Sequence, residues 1–441
     1  MNTNIKPLRT SVTLLAGFQW LFFMFANTVV IPISVGGAFQ LEQVEIISAI
    51  QRSFILTGIA CLLQGVLGHR LALMEGQSGL WWGVILSLAA TASTMNLELT
   101  TIGGSIAVGA IISGVLVATF GLLGMGELLK KWFTPVVMFV FLLLLANQLI
   151  SIFLKGMLGL NTGDSIDIKV ACFSFILAAF TIIIHVKGKG IISSLNLLIG
   201  MVIGWIAAAL LFPGETTETI RTTPFLTWFP WGEPTLEWGI VITVVITGLL
   251  NTTNTVATLK GAEDIFEKET TPKQYRTSFF ITGTFNTLAG IFGLVPYAPY
   301  ASSLGFLQST GIKERAPFFV GSVLFIFLGL AAQLSTFFST IPNSVGNTVL
   351  FVAYLQLFRS ALRNIEGLTF DPKTIYRVAL PSLLGLSIMT FPPAAFTTLP
   401  DLVRPLLSNG MLIGIISALI MESFHYLGRN STHKINKSTY L

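Results

Sequence analysis

The chain has 441 residues, of which 53% are hydrophobic and only 10% charged, with a formal net charge of +5 and a mean hydropathy of +0.79. A soluble domain carries roughly 25% charged residues, so this composition excludes a chain that hydrates its own surface. The pI near 9.2 comes without a basic patch interleaved with aromatics, which argues against a nucleic-acid partner.

Taken in chain order, apolar stretches at 11–36 and 46–68 open the sequence. Each reaches the roughly 20 residues that a helix needs to cross hydrocarbon. Basic residues precede the first stretch, but no A-x-A-like cleavage site ends it, so it reads as a span and not as a removed signal. Residues 72–95 follow, broken by Gly and Ser, and then 103–126, 133–154, 170–186 and 191–212. The connection 213–237, rich in Pro, Trp and Thr, is the longest on the outer side; Trp228 and Trp231 are expected in an interfacial aromatic belt. The second half continues at 238–259, 277–294, 296–311, 317–338, 345–362, 375–391 and 405–427, with 296–311 again broken by Gly, Ser and Pro. Lipid offers no partner to backbone polar groups, and these runs are too long and alternate too little for barrel strands. The expected class is an all-α polytopic membrane protein with fourteen transmembrane segments.

The distribution of positive charge tests that count. With a cytoplasmic N-terminus, all but Arg52, Lys155, Lys169, Arg221 and Arg404 of the 25 Lys and Arg fall on the cytoplasmic side, as does the tail 431–441. Cys61 and Cys172 lie inside predicted spans, which speaks against a disulfide or a metal site, and no cofactor is expected. His185, beside Lys187, reads as an interface residue, and the mixed-charge run around Glu263 and Lys268 as a solvated face.

An internal repeat gives the segments an order. At a constant spacing, Thr57, Gly58, Gly65 and Gly68 meet Thr282, Gly283, Gly290 and Gly293, and Gln77 and Ser78 meet Ser302 and Ser303. The copies cover spans two to three and nine to ten. Seven spans separate them, an odd number, so they must be inverted across the membrane. Inverted copies that share a broken segment point to a secondary transporter with its site near the midplane. Exposed backbone is tolerated there only where it is buried or lines a cavity.

Three motifs carry a resemblance. Gly17-Phe18-Gln19-Trp20, continuing through Met24-Phe25-Ala26-Asn27-Thr28-Val29 to Pro32, is similar to the first-span motif of the nucleobase–cation symporter-2, or nucleobase–ascorbate transporter, family. Pro296-Tyr297-Ala298-Pro299-Tyr300-Ala301-Ser302-Ser303 resembles its tenth-span signature. Asn251-Thr252-Thr253-Asn254 stands where the family has Glu-Thr-x-Gly. The resemblance covers nearly the whole chain, including Ile341-Pro342. It implies two inverted seven-helix repeats, with short strands in spans three and ten meeting beside the substrate. The core domain would be 1–131 and 237–342, and the gate domain 132–236 and 343–430. It further implies a nucleobase substrate (purine or uracil), H⁺ or Na⁺ as co-substrate, a homodimer, and residence in the plasma or inner membrane.

Departures from the family pattern shape the candidate site. Asn251 replaces the span-eight Glu that relatives use to bind the base and couple protons; Ser302 and Ser303 replace the span-ten acid or amide and the Asn after it. Trp20 replaces a His, and Gly79 an aromatic residue. An amide offers both a donor and an acceptor to a base edge but does not titrate. The candidate substrate residues are Gln19, Asn27, Ser78, Gly79, Asn251, Asn254, Tyr300, Ala301, Ser302 and Ser303, with Trp81 and Trp82 as further stacking candidates. Glu75, in the third-span break, is the candidate ion-coupling group, because a carboxyl within a membrane is costly and retained for function. Two alternatives stay open: an anion carrier of the sulfate or dicarboxylate type with the same architecture, and an uncoupled facilitator. No H-E-x-x-H or Asp-rich diphosphate motif favours an enzyme.

Overall fold

The computed structural model describes residues 9–124, 132–160, 165–188, 196–212 and 226–438. The expected cytoplasmic charges Lys6, Lys130, Lys131 and Lys189, and Arg221 on the opposite side, lie outside those residues. The elements run α1 (Thr10–Thr28), α2 (Val30–Ala38), α3 (Gln43–Val66), β1 (Glu75–Gln77), α4 (Gly79–Ala90), α5 (Ala92–Met95), α6 (Leu99–Leu123), α7 (Pro135–Met157), α8 (Ile168–Lys187) and α9 (Asn196–Leu211). The second half runs α10 (Trp238–Phe266), α11 (Pro272–Phe292), β2 (Tyr297–Pro299), α12 (Ser302–Thr310), α13 (Arg315–Leu330), α14 (Ala332–Ser339), α15 (Asn343–Ile365), α16 (Pro372–Thr390), α17 (Arg404–Leu407) and α18 (Gly410–Ser438).

Local sequence sets several helix starts. Thr134-Pro135, Thr271-Pro272 and Asp371-Pro372 each place an oxygen at the N-cap, accepting from a first-turn N–H, and a proline where no N–H is needed. Thr271 and Gln274 complete a reciprocal capping box on α11. Pro32 lacks the N–H that would bond the Thr28 carbonyl, and the first span breaks at Val29 into α1 and α2.

Among the described residues, seven helices are long and apolar enough to cross a membrane, or eight if α13 and α14, bent by 90°, count as one span. Three shorter apolar helices, 79–90, 196–211 and 410–424, accompany them. By length and composition alone, then, half of the fourteen expected segments qualify unaided.

Glycines matched in the sequence make close backbone approaches. A Cβ on Gly58 of α3 would lie 2.7 Å from the Ser322 carbonyl of α13; one on Gly283 of α11 would lie 2.3 Å from the Ala118 amide of α6. Matching glycines thus let α3 approach α13, and α11 approach α6, backbone to backbone. The elements fall into two packed groups. One joins α1, α3, α6, α10, α11 and α13; the other joins α7, α8, α15, α16 and α18.

Two expectations need correction. Trp231 is buried and stacks on Phe39, with centroids 5.4 Å apart, so it anchors the outer connection to α2 instead of lying in a lipid interface. Exposed Trp228 does suit a belt. Arg52 is not on an outer surface either. It lies buried on α3, ion-paired with Glu45 and donating to the Ser48 hydroxyl at 2.8 Å. A long side chain seven residues from a carboxylate on the same helix can fold back on it, and that contact is not visible in a charge count.

Candidate functional site around the strand pair

β1 and β2 pair antiparallel, with Glu75 opposite Pro299, Gly76 opposite Ala298 and Gln77 opposite Tyr297. A two-stranded ribbon leaves two open edges, and buried backbone groups must find partners. Side chains from flanking helices supply them. On the outer edge of β2, the Tyr297 carbonyl accepts from Asn251 Nδ2 at 2.9 Å and the Pro299 carbonyl from Thr258 Oγ1 at 3.3 Å, both on α10. On the edge of β1, the Cys61 sulfur of α3 accepts from the Glu75 N–H at 3.3 Å and donates to the Glu75 carbonyl at 3.4 Å, while Tyr300 Oη donates to the Gln77 carbonyl.

Asn251 therefore has a structural task as well as a chemical one. Its Oδ1 accepts from Ser78 Oγ at 2.6 Å and from Asn254 Nδ2 at 3.0 Å. Asn251 and Ser78 are buried, and Asn254, one turn further along α10, is partly exposed. Ser78 is also the N-cap of α4, whose first-turn N–H groups receive no side-chain cap. The three residues bring a hydroxyl, two amides and a helix N-terminus together, a combination that suits an uncharged polar heterocycle with an electronegative edge.

A second polar cluster lies between the ribbon, α3 and α11. Glu75 is fully buried and its carboxyl accepts from Thr282 Oγ1 at 2.6 Å and from Gln64 Nε2 at 3.2 Å. Gln64 also donates to the Ser278 carbonyl, and the Tyr297 phenol accepts from Thr57 Oγ1. The titratable groups facing this cluster are the Cys61 thiol and the Tyr297 phenol. Glu75 takes part in none of the ion pairs among the described residues. Both clusters touch the ribbon, but among the described residues the Glu75 carboxyl oxygens bond Gln64 and Thr282 and not Asn251, Asn254 or Ser78.

Other expected site residues disperse. Gln19 lines a narrow cleft with Phe22, Phe23, Leu197 and Phe306, none of which belongs to the amide cluster. Asn27 turns its amide onto the Phe23 carbonyl of its own helix; only its backbone carbonyl meets Tyr300 Oη. Ser303 Oγ accepts from the Met74 N–H, pinning the chain before β1, whereas Ser302 is exposed and Ala301 half-buried at the start of α12. Trp81 and Trp82 are fully buried, and Trp82 Nε1 donates to Ser34 Oγ. His185 Nε2 lies 3.4 Å from Gln356 Nε2, between α8 and α15.

Tyr354 of α15 is the residue that sequence reasoning missed. Its ring lies 3.7 Å from where a Gly79 Cβ would stand, makes an edge contact with Phe153, and its hydroxyl bonds that of Tyr300. The glycine that replaces the family's aromatic is thus answered by an aromatic from the other packed group. The signal was available only as a pair, a glycine at 79 and a tyrosine in a distant span.

The sequence of the whole chain carries the same pattern: residues 11–394 match the Permease family. The chain belongs to that family. As a permease it is a multi-pass membrane carrier and not an enzyme. It is 27% identical to YwdJ of Bacillus subtilis, with 96% of this chain and 98% of that protein covered. The nucleobase transporter PlUacP of Paenibacillus larvae is 23% identical, covering 98% of each chain, and the xanthine permease of Bacillus subtilis is 25% identical, covering 93% of each. Among solved structures, the transmembrane domain of the cyanobacterial bicarbonate transporter BicA superposes with a TM-score of 0.60 at 15% identity, covering 92% of this permease and 96% of that domain. SLC26A9 superposes at 0.61 and 13%, covering 94% and 65%. At those identities the likeness speaks for the fold alone. No group of three or more His, Cys, Asp or Glu is placed to hold a metal among the described residues.

Proposed function

We propose that this permease carries a nucleobase, an oxopurine or uracil, across the cell membrane as a secondary-active transporter. Its full-length relatives, named for nucleobase and xanthine transport, support the substrate class. The observation that carries the reading to this chain is the amide and hydroxyl cluster of Asn251, Asn254 and Ser78, set against the strand pair at the start of α4. It offers neutral donors and acceptors without a cation, which favours an uncharged heterocycle over an anion. The bicarbonate transporter shares the fold, but no Lys or Arg stands among these hydrogen bonds.

In this reading the chain forms fourteen spans in two inverted repeats, with both termini cytoplasmic. Residues 1–131 and 237–342 make a core that rocks against a gate of 132–236 and 343–430, and two copies associate. The matched packing of Gly58 and Gly283 and the two packed groups of helices support that division. Glu75 is the coupling group and H⁺ the co-substrate, with Na⁺ the alternative. A buried carboxyl that only neutral donors contact can exchange a proton without breaking an ion pair.

The test is uptake of radiolabelled bases into cells lacking their own permeases, with a competition panel of purines, pyrimidines and small anions. Competition by nucleobases and not by sulfate or bicarbonate is the expected result. Uptake that ignores every base, or that bicarbonate alone suppresses, would overturn the assignment. A protonophore that leaves uptake unchanged would remove the coupling role of Glu75 and leave the substrate assignment standing.

A further inference from the structure

The strand carbonyl of Tyr297 fixes the polarity of the whole amide cluster. A carbonyl can only accept, so the Asn251 group that meets it must be the NH₂. Asn251 Oδ1 then faces inward, and Ser78 Oγ and Asn254 must both donate to it. Asn254 consequently turns Nδ2 toward the cluster, within 3.4 Å of Ser78 Oγ as well, and its Oδ1 away from it. That oxygen takes no hydrogen bond from any described residue. Of the three side chains, Asn251 and Ser78 are 1% and 3% exposed, while Asn254 is open to its surroundings. Asn251 is occupied at both ends by the fold; Asn254 has an acceptor to spare.

We propose that Asn254, and not Asn251, is the residue that reads the substrate, and that it reads a lactam edge, a ring N–H beside a carbonyl. The inference rests on the nucleobase assignment above and deepens it. Asn254 Oδ1 accepts the ring N–H. The neighbouring carbonyl of the base faces donors, the second hydrogen of Asn254 Nδ2 and the uncapped N–H groups at the start of α4. A carboxylate at this place would instead match two adjacent N–H groups, so the amide selects a different edge of the same molecules. Asn251 acts through Asn254: it transmits the direction of the Tyr297 carbonyl and holds the outward oxygen in place. Position 254 corresponds to a glycine in the family motif, so this side chain adds a contact that the motif does not provide.

The experiment measures binding of bases to the purified full-length protein and to Asn254→Gly and Asn254→Asp. Hypoxanthine, guanine, xanthine and uracil are each paired with the analogue in which every ring N–H beside a carbonyl is methylated. The wild type is expected to prefer its unmethylated base by roughly tenfold, the scale of one or two hydrogen bonds lost from a desolvated site. Asn254→Gly is expected to bind both members of the pair at the weaker level. Asn254→Asp keeps the size and the helix but replaces Nδ2, the donor to Asn251 Oδ1, with an oxygen, so it loses both that anchor and the donor offered to the base carbonyl and should bind the lactam base more weakly than the wild type. Glycine in a helix interior costs about 1 kcal/mol, so thermal melting accompanies each measurement, and the Asp variant carries the test if the Gly variant does not fold. Unchanged affinity and preference in the variants, with the wild type binding a base, would overturn the role of Asn254 and leave the nucleobase reading intact. A wild type that binds none of the four bases would overturn both.

Discussion

The two polar clusters that flank the strand pair are built to opposite specifications. On the α10 side, Asn251, Asn254 and Ser78 are neutral, cross-bonded and open at Asn254. On the α3 and α11 side, Glu75 is ionisable, fully buried and held by Thr282 and Gln64. The family motif places an acid where Asn251 stands. There an amide supplies permanently the donor to Tyr297 that an acid supplies only when protonated. The chain therefore keeps its neutral polar groups and its buried carboxyl on separate sides of the ribbon, and under the proposed function recognition falls to the first and titration to the second. What joins them is the ribbon, whose register ties Glu75 and Tyr297 to the same rigid unit.

The comparison breaks most severely at Asn251. Its loss as Asn251→Ala leaves the Tyr297 carbonyl, Ser78 Oγ and Asn254 Nδ2 without their shared partner. Two buried hydrogen bonds at about 1–1.5 kcal/mol each correspond to roughly a hundredfold loss of transport efficiency. Uptake of labelled base, normalised to surface expression, measures it, and full activity would contradict the cluster's role. Next in size is Glu75→Gln, expected to slow uptake about tenfold, within the usual range of coupling between sites, and to flatten its pH dependence while leaving base affinity unchanged. Gln64 has an unpartnered Oε1 with which to receive the new amide, so the packing should survive. An altered affinity would show that the two clusters are not separate.

A transplanted acid sharpens the same contrast. Asn251→Asp places a carboxyl against the Tyr297 carbonyl, which it can bond only when protonated. Base binding by this variant should strengthen as pH falls, whereas wild-type binding stays flat, as read by equilibrium binding at a series of pH values. The smallest effect concerns stability, at the turn that leads from α3 into β1. His69 is buried there, its Nδ1 accepting from the Leu71 N–H, and burial lowers its pKa to about 3. The unfolded ring takes up a proton near its ordinary value of about 6.5 and the folded ring does not. His69 thus supports the fold fully above that value and progressively less as pH falls toward 3. His69→Asn keeps an acceptor for Leu71, so its melting temperature should decline less between about pH 6.5 and 5. An equal decline in both proteins would assign the acid lability elsewhere.

Much of the frame was legible beforehand because it follows from local rules. The broken third and tenth segments announced themselves by Gly, Ser and Pro, and both proved to contain a strand. The matched glycines Gly58 and Gly283 both stand where one helix meets the backbone of another, since such close packing leaves no room for a side chain. Site membership was harder to read. Gln19 and Asn27 sit in a motif resembling the family's, yet Gln19 lines a cleft with Leu197 and Phe306 and the Asn27 amide bonds its own helix. Sequence spacing fixes which face of a helix a residue occupies, but not whether that face meets a strand, a neighbour or lipid.

By itself the sequence determined that the chain is a multi-pass membrane permease, since a chain this apolar must bury its backbone hydrogen bonds within helices. It also determined that Asn251 and Glu75 would be unusual, because polar and ionisable groups in that setting are rare and costly. Only the tertiary structure decided which way each of them points. Asn251 is claimed by a carbonyl 46 residues away, Glu75 by a hydroxyl 207 residues away, and Gly79 is answered by Tyr354 from the other packed group. Hydrogen-bond direction is a property of pairs, and these pairs exist only once distant segments have closed around the ribbon.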